Sequence, residues 1–136
     1  MKSTSENEPM DVVLVDSSPE QYERLKNILP SWNLHCVSAD KAKSQPDTVI
    51  SENLDAIIVY ARIKEEQHAL KLCQRIKSVE QAKTVPLLVA INRFQMILGN
   101  DVKRLPGGHF ILMPIEKEVL CQRLLSLINN SSFEPH

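Results

Sequence analysis

Residues 55–91 read DAIIVYARIKEEQHALKLCQRIKSVEQAKTVPLLVAI, and this stretch decides the fold. Its two ends, Asp55–Tyr60 and Val85–Ile91, are short apolar runs without polar alternation, the pattern of strands buried on both faces of a parallel sheet. Between them the spacing predicts a helix over 65–79, with Ala69, Leu72, Cys73 and Ile76 along one stripe. Strand, helix and strand in that order make a crossover, which joins parallel strands with right-handed connectivity.

The unit repeats in both directions. Toward the N-terminus, Val12–Val15 is a fully apolar, mostly β-branched run closed by Asp16. Ser17, Ser18 and Pro19 then supply N-cap oxygens and a first-turn proline for a helix carrying Tyr22, Leu25, Ile28 and Leu29 up to Pro30. Leu34–Val37 is a weaker second strand. The polar stretch 40–54, with Val49, Ile50 and Leu54 on one side, predicts a poorly patterned helix broken near Pro46. Toward the C-terminus come a helix over 93–105 containing Gly99, a tight turn with positive φ at Gly107-Gly108, and a fifth strand Phe110–Met113. A last helix over 117–129 turns Leu120, Leu124, Leu127 and Ile128 inward. Five strand-helix pairs specify an α/β, doubly wound parallel sheet with helices on both faces. Ligands in such sheets sit outside the carboxyl ends of the strands, which directs attention to Asp16, Tyr60, Ile91, Asn92 and Met113.

Length and composition agree with one ordinary domain, at 136 residues with 43% apolar and 24% charged side chains. Residues 1–10 are mostly polar and predict a flexible arm, 11–130 the domain, and 131–136 a C-terminal tail. Sixteen basic against seventeen acidic residues give no field to hold a phosphate backbone, so direct nucleic-acid binding is not expected. The apolar runs fall far short of the roughly 18 residues that cross a bilayer, and the polar N-terminus is unlike a signal peptide. Cys36, Cys73 and Cys121 are an odd, widely spaced set that suits neither a disulfide framework nor zinc, and a cytoplasmic location is expected. Cys73 and Cys121 lie on apolar stripes and read as core residues. No catalytic triad, nucleophile elbow or nucleotide loop can be drawn from the chain, so it does not read as an enzyme.

The strand ends also carry a resemblance. Val-Asp-Ser-Ser-Pro at 15–19, Leu-Asp-Ala-Ile-Ile-Val-Tyr at 54–60, Val-Pro-Leu-Leu-Val-Ala-Ile-Asn at 85–92 and Phe-Ile-Leu-Met-Pro-Ile at 110–115 resemble a response-regulator receiver domain from Val12 to Ile128. The resemblance implies a flavodoxin-like five-stranded sheet in the order 2-1-3-4-5, a role in two-component phosphorelay signalling, and a cis Met113-Pro114 peptide. The family pocket uses two acids after the first strand to hold magnesium and an acceptor aspartate ending the third strand. It also has Ser or Thr ending the fourth strand and a lysine before a proline ending the fifth. Here Asp16 matches the first acid, but Ser17, Tyr60, Ile91 and Met113 occupy the other four positions, with Pro114 retained. Magnesium usually takes one or two carboxylates together with phosphate oxygens, so Asp16 alone is a weak candidate ligand and no cofactor is expected. Tyrosine, with an ordinary pKa of about 10, cannot form the acyl phosphate that a carboxylate forms.

The expected consequence is a degenerate, phosphorylation-independent receiver that acts by protein-protein interaction. Arg62, two residues beyond Tyr60, is a candidate cation to neutralise Asp16 in place of metal. Ile91 and Met113 are expected to seal the pocket rim with apolar surface, and His109 is the histidine read as nearest the site. By family analogy the working surface is the fourth helix, fifth strand and fifth helix, with Lys103, Arg104, Phe110, Glu116, Lys117, Gln122 and Arg123 as candidate positions for a protein partner, an output domain or a homodimer. Three alternatives stand beside it. They are a small-ligand site in the altered pocket, a displaced acceptor such as Ser17, Ser18 or Glu65, and a scaffolding role within a longer regulator.

Overall fold

The computed structural model describes residues 9–50 and 53–133, with side chains through 128. The strands are β1 (Asp11–Val15), β2 (Asn33–Val37), β3 (Ala56–Tyr60), β4 (Leu87–Ile91) and β5 (Gly108–Leu112). All pair in parallel, in the order β2-β1-β3-β4-β5, as the sequence predicts. The helices are α1 (Pro19–Ile28), α2 (Ala39–Ser44), α3 (Pro46–Val49), α4 (Glu66–Lys77), α5 (Met96–Val102) and α6 (Lys117–Phe133).

Strand alternation divides the core into two layers. Val13, Val15, Ile57, Val59, Leu87, Val89 and Ile91 point toward α2, α4 and α5, where Leu72, Cys73, Ile76 and Leu98 cover them. Val12, Leu14, Ile58, Tyr60, Leu88, Ala90 and Ile111 point the other way, under Leu25, Leu29, Leu120 and Leu124 of α1 and α6. Every residue of β3 and β4 is buried, which is why these strands read as unbroken apolar runs. β2 is an edge strand with no fully buried residue, and its sequence signal is correspondingly weak.

Local chemistry fixes the ends. Ser18 caps α1 in a reciprocal box, its hydroxyl accepting from the Gln21 amide at 3.1 Å while Gln21 Oε1 accepts from the Ser18 amide at 2.7 Å. Gly107 takes φ +68 and Gly108 packs so closely that a Cβ there would lie 2.5 Å from the Val102 carbonyl oxygen. The Met113-Pro114 peptide is cis.

Four expectations need adjustment. The helix expected over 40–54 is two short helices, α2 and α3, and the backbone is already extended at Ile50. Residues 51–52 of that stretch lie outside the described residues. The helix expected over 93–105 begins as a 3-10 turn at Arg93–Gln95 and continues as the shorter α5. Met10, assigned to the arm, is buried in the α1–α6 layer, and its carbonyl accepts from the Asn33 amide at 2.8 Å. The last helix, expected to end at 129, runs to Phe133, so 131–133 of the expected tail are helical, while residues 1–8 of the expected arm and 134–136 of the expected tail lie outside the described residues.

Candidate functional site

The carboxyl ends of β1, β3 and β5 bring Asp16, Tyr60 and Met113 to one edge of the sheet. Asp16 leaves β1 in the left-handed region at φ 63 while its amide still donates to the Val37 carbonyl at 2.9 Å. Aspartate tolerates this conformation better than most side chains. Arg62 meets it with a two-pronged contact, Nε to Oδ2 at 2.6 Å and Nη2 to Oδ1 at 2.9 Å. Both carboxylate oxygens are therefore taken by one guanidinium in the planar fork that arginine forms with carboxylates. The Asp16 side chain is 18% exposed against 63% for Arg62, so the fork lies over the acid from the solvent side. Hydrogen bonding to Asp16, and then its charge, holds the Arg62 guanidinium above its ordinary pKa.

Ser17, which follows Asp16 out of β1, is half-buried and donates its hydroxyl to Cys36 Sγ at 3.6 Å. Tyr60 is 5% exposed and belongs to the α1–α6 layer. Burial, with a smaller contribution from the Cys36 charge, pushes its phenol up to about 12. A phenol so held is neutral throughout the physiological range and is a poor nucleophile.

Tyr60 also divides two cavities. On one side a space of about 420 Å³ is lined by Gln21, Arg24, Leu25, Met113, Pro114 and Ile115, with Tyr60 among them. On the other, a space of about 260 Å³ lies between α2 and α4 and is lined by Asp16, Arg62, Lys43, Glu65 and His68 as well as Tyr60. Met113 is half-buried, and Gln21 Nε2 donates to its Sδ at 3.5 Å. Ile91, expected at the rim, lines neither of these cavities. It is fully buried on the α4–α5 face, away from Tyr60. His109 sits at the opposite end of β5 from Met113, its Nδ1 accepting from the Phe110 amide at 2.8 Å. The histidine that lines the cavity beside Asp16 is His68, which the sequence reading passed over.

These residues do not suit magnesium. Among the described residues no group of three His, Cys, Asp or Glu side chains converges on a point, and the one matching carboxylate already carries Arg62 on both oxygens. Magnesium holds its water tightly and needs acidic oxygens free to replace it.

A second polar cluster, absent from the sequence reading, ties the loop after β3 to the loop after β4. Gln95 is 4% exposed, and its Nε2 donates to the Arg62 carbonyl at 3.2 Å and to Glu66 Oε2 at 2.9 Å. Its Oε1 accepts from the Asn92 amide at 3.0 Å, and Glu66 Oε2 also accepts from the Lys64 amide at 2.9 Å. The Gln95 hydrogen bond holds the Glu66 carboxyl below its ordinary pKa. An Asn followed three residues later by Gln is a capping signature, and it was the available signal for this clamp.

The surface expected to engage partners is α5, β5 and α6. Lys103, Arg104, Glu116 and Gln122 are exposed there, while Lys117, Phe110 and Arg123 are half-buried. The Arg123 guanidinium lies 5.7 Å from the Phe110 ring centroid and 3.2 Å from His109 Nε2. Burial, and then the charge of Arg123, holds the His109 imidazole below its ordinary pKa.

No protein-family model matches the chain, and no curated protein matches it by sequence. Solved structures do match by shape. A response regulator receiver domain protein from Clostridium thermocellum superposes with a TM-score of 0.72 at 10% identity, over 90% of this chain and 97% of the other. The signal receiver domain of an HD domain-containing protein from Pseudomonas fluorescens Pf-5 gives 0.68 at 18% identity, over 93% of this chain and 100% of the other. Full-length FixJ from B. japonicum gives 0.66 at 18% identity over 93% of this chain, which spans only 60% of FixJ. The fold of this chain is that of receiver domains. No helix among the described residues is long and apolar enough to cross a membrane.

Proposed function

We propose that this chain is a receiver-like domain of a two-component type regulator that takes no phosphate on aspartate and works by binding a protein partner in the cytoplasm. The observation that carries this reading is the Arg62 fork on Asp16 beside a buried Tyr60. Phosphoryl transfer is catalysed by positioning and by cations around the equatorial oxygens, and it needs a nucleophile of the right kind at the centre. At this edge the acid is occupied, Ser17 and Met113 supply no charge, and Tyr60 is neutral and inside the core. Neither magnesium nor catalysis has a role in the proposal. The protein signals through what it touches, and the α5–β5–α6 surface with Lys103, Arg104 and Gln122 is a candidate for an output domain or a second copy by analogy with the fold's relatives.

Incubation of the chain with acetyl phosphate and magnesium, followed by intact mass measurement, tests the first half. No phosphoryl addition is expected, either in the wild-type chain or after Arg62→Ala frees Asp16. Addition mapped to Ser17, Ser18 or Glu65 would replace this reading with a displaced acceptor. One observation favours a second reading, a small-ligand domain. The 420 Å³ space beside Tyr60 lies at the carboxyl edge of the sheet and falls within the size range of ligand pockets, about 300–1,000 Å³. A small molecule retained through purification and released on Tyr60→Trp would support it.

A further inference from the structure

Two of the most exposed apolar side chains, Phe94 and Ile97, line one groove of the molecule. Phe94 is 90% exposed, Ile97 80% and Ile63 67%. Phe94 and Ile97, three residues apart across the junction of the 3-10 turn and α5, line a groove of about 460 Å³ between α4 and α5 whose deeper apolar residues are Leu70 and Leu98. Ile63 belongs to the adjoining loop, which Gln95 holds through the Arg62 carbonyl. Clusters of this kind on a soluble surface mark sites of association, whereas single exposed apolar residues are ordinary.

The geometry of this corner is set in advance. Gln95 is buried between the two loops and joins Asn92, the Arg62 carbonyl and Glu66, so the segment bearing Phe94 is fixed from beneath by side-chain hydrogen bonds. A partner then meets anchors that are already ordered, which lowers the entropic cost of binding. The rim is acidic. Glu65, Glu66 and Asp101 line the groove against the ammonium of Lys64, with His68 3.8 Å from Glu65 and the Arg104 guanidinium 3.7 Å from Asp101 leaving acid in excess. On β5 and α6 the exposed apolar side chains, Leu112, Val119 and Leu125, are less than half exposed, and the aromatic Phe110 lies half-buried under Arg123.

We propose that the groove between α4 and α5 docks a basic amphipathic segment of a partner protein, with the segment's apolar residues on Phe94 and Ile97 and its lysines or arginines facing Glu65, Glu66 and Asp101. This rests on the interaction-module reading above and gives it an address and a partner chemistry. An amphipathic helix laid in an apolar groove with charged margins is a recurrent recognition mode, in which apolar anchors supply affinity and rim charges supply selectivity.

Two synthetic peptides of equal length test it. One has leucines at helical spacing with lysine elsewhere, and the other has glutamate in place of lysine. Each is titrated into the isotope-labelled full chain and followed by amide NMR. The lysine peptide is expected to give saturable shifts in residues 63–70 and 94–101, and the glutamate peptide none. Phe94→Ala and Ile97→Ala should each weaken binding by about tenfold or more without lowering Tm, because both side chains are already in water. Asp101→Lys should weaken the lysine peptide further. Equal shifts from both peptides, or shifts that survive Phe94→Ala, overturn the proposal. Self-association that Phe94→Ala abolishes and the lysine peptide does not compete assigns the groove to a second copy and also overturns it. A chain that takes phosphate yet binds the lysine peptide as described loses the phosphate-blind reading and keeps the groove, so the two failures are separable.

Discussion

Exchanging Tyr60 for Asp places a carboxylate at the end of β3, and the structure predicts lost stability with no gain in chemistry. Tyr60 is 5% exposed and shares its core layer with Leu25, Ile58, Ala90 and Ile115. Truncating a buried aromatic costs about 3–5 kcal/mol, a sum of lost transfer energy and the space left behind. Because Tyr60 stands between the 420 Å³ and 260 Å³ spaces, its removal joins them and admits water, which places the loss near the lower end, about 3 kcal/mol. The new carboxylate adds a pH dependence. Desolvation lifts its folded pKa above the unfolded value of about 3.9, so its contribution is fully present below that value and is lost as pH rises through the folded pKa. Tyr60→Asp should therefore fall further behind wild type at pH 7 than at pH 5, read by urea unfolding at both. A deficit under about 1 kcal/mol at both pH values would refute the packing argument. Labelling of this variant by acetyl phosphate would refute the argument that Ser17 and Met113 leave the pocket without the charges it needs.

Other outcomes follow from the same structure. Ser18→Ala removes the hydroxyl half of the capping box and should lower stability by about 1 kcal/mol in urea or thermal unfolding. Gly108→Ala places a methyl group 2.5 Å from the Val102 carbonyl oxygen, and the required backbone shift should destabilise the fold by about 1–3 kcal/mol, far more than an alanine at an exposed strand position. Lys77 is buried, donates to the Ala82 and Val85 carbonyls, and is pushed down to about 8 by desolvation. Its unfolded form binds more protons between about pH 8 and 10.5, so the stability difference between wild type and Lys77→Met should move in favour of wild type across that window by about 3 kcal/mol. The comparison is made as a difference because Cys73 and Tyr60, both pushed up to about 12 by burial, lower the stability of both chains as pH rises further. In an ultraviolet titration the phenol of Tyr60 should ionise near 12, a late step that Tyr60→Phe removes.

Much of this molecule was legible in its sequence because a parallel sheet leaves a plain signature. β3 and β4 are buried on both faces and could not be written with polar alternation. The region around Pro46 was less legible for the same physical reason in reverse. α2 and α3 each contribute a single fully buried residue, Ala42 and Pro46, too few to impose a period. At the site, the place of Asp16, Tyr60 and Met113 at the strand ends could be read from the strand pattern, and the contact of Arg62 with Asp16 is consistent with its place two residues past β3. Ile91 was misplaced because strand alternation turns it to the α4–α5 layer, a matter of register that strand assignment alone does not give. His109 was misplaced because β5 starts at Gly108, which puts that residue at the amino end of the strand. Gln95 and Glu66 were missed because their importance lies in a contact across 29 positions of sequence, between loops whose proximity depends on the finished sheet.

The proposal turns on whether the sheet edge at Asp16, Tyr60 and Met113 responds to phosphate. Titration of the full chain with magnesium and beryllofluoride, a phosphoryl mimic, while following amide NMR signals at the ends of β1, β3 and β5, tests it most directly. No saturable shift is expected at Asp16, Tyr60 or Met113, with the Asp16–Arg62 pair intact throughout. A saturable shift at those residues, requiring both magnesium and beryllofluoride, would show that the edge holds a phosphoryl site and would contradict the phosphate-blind reading.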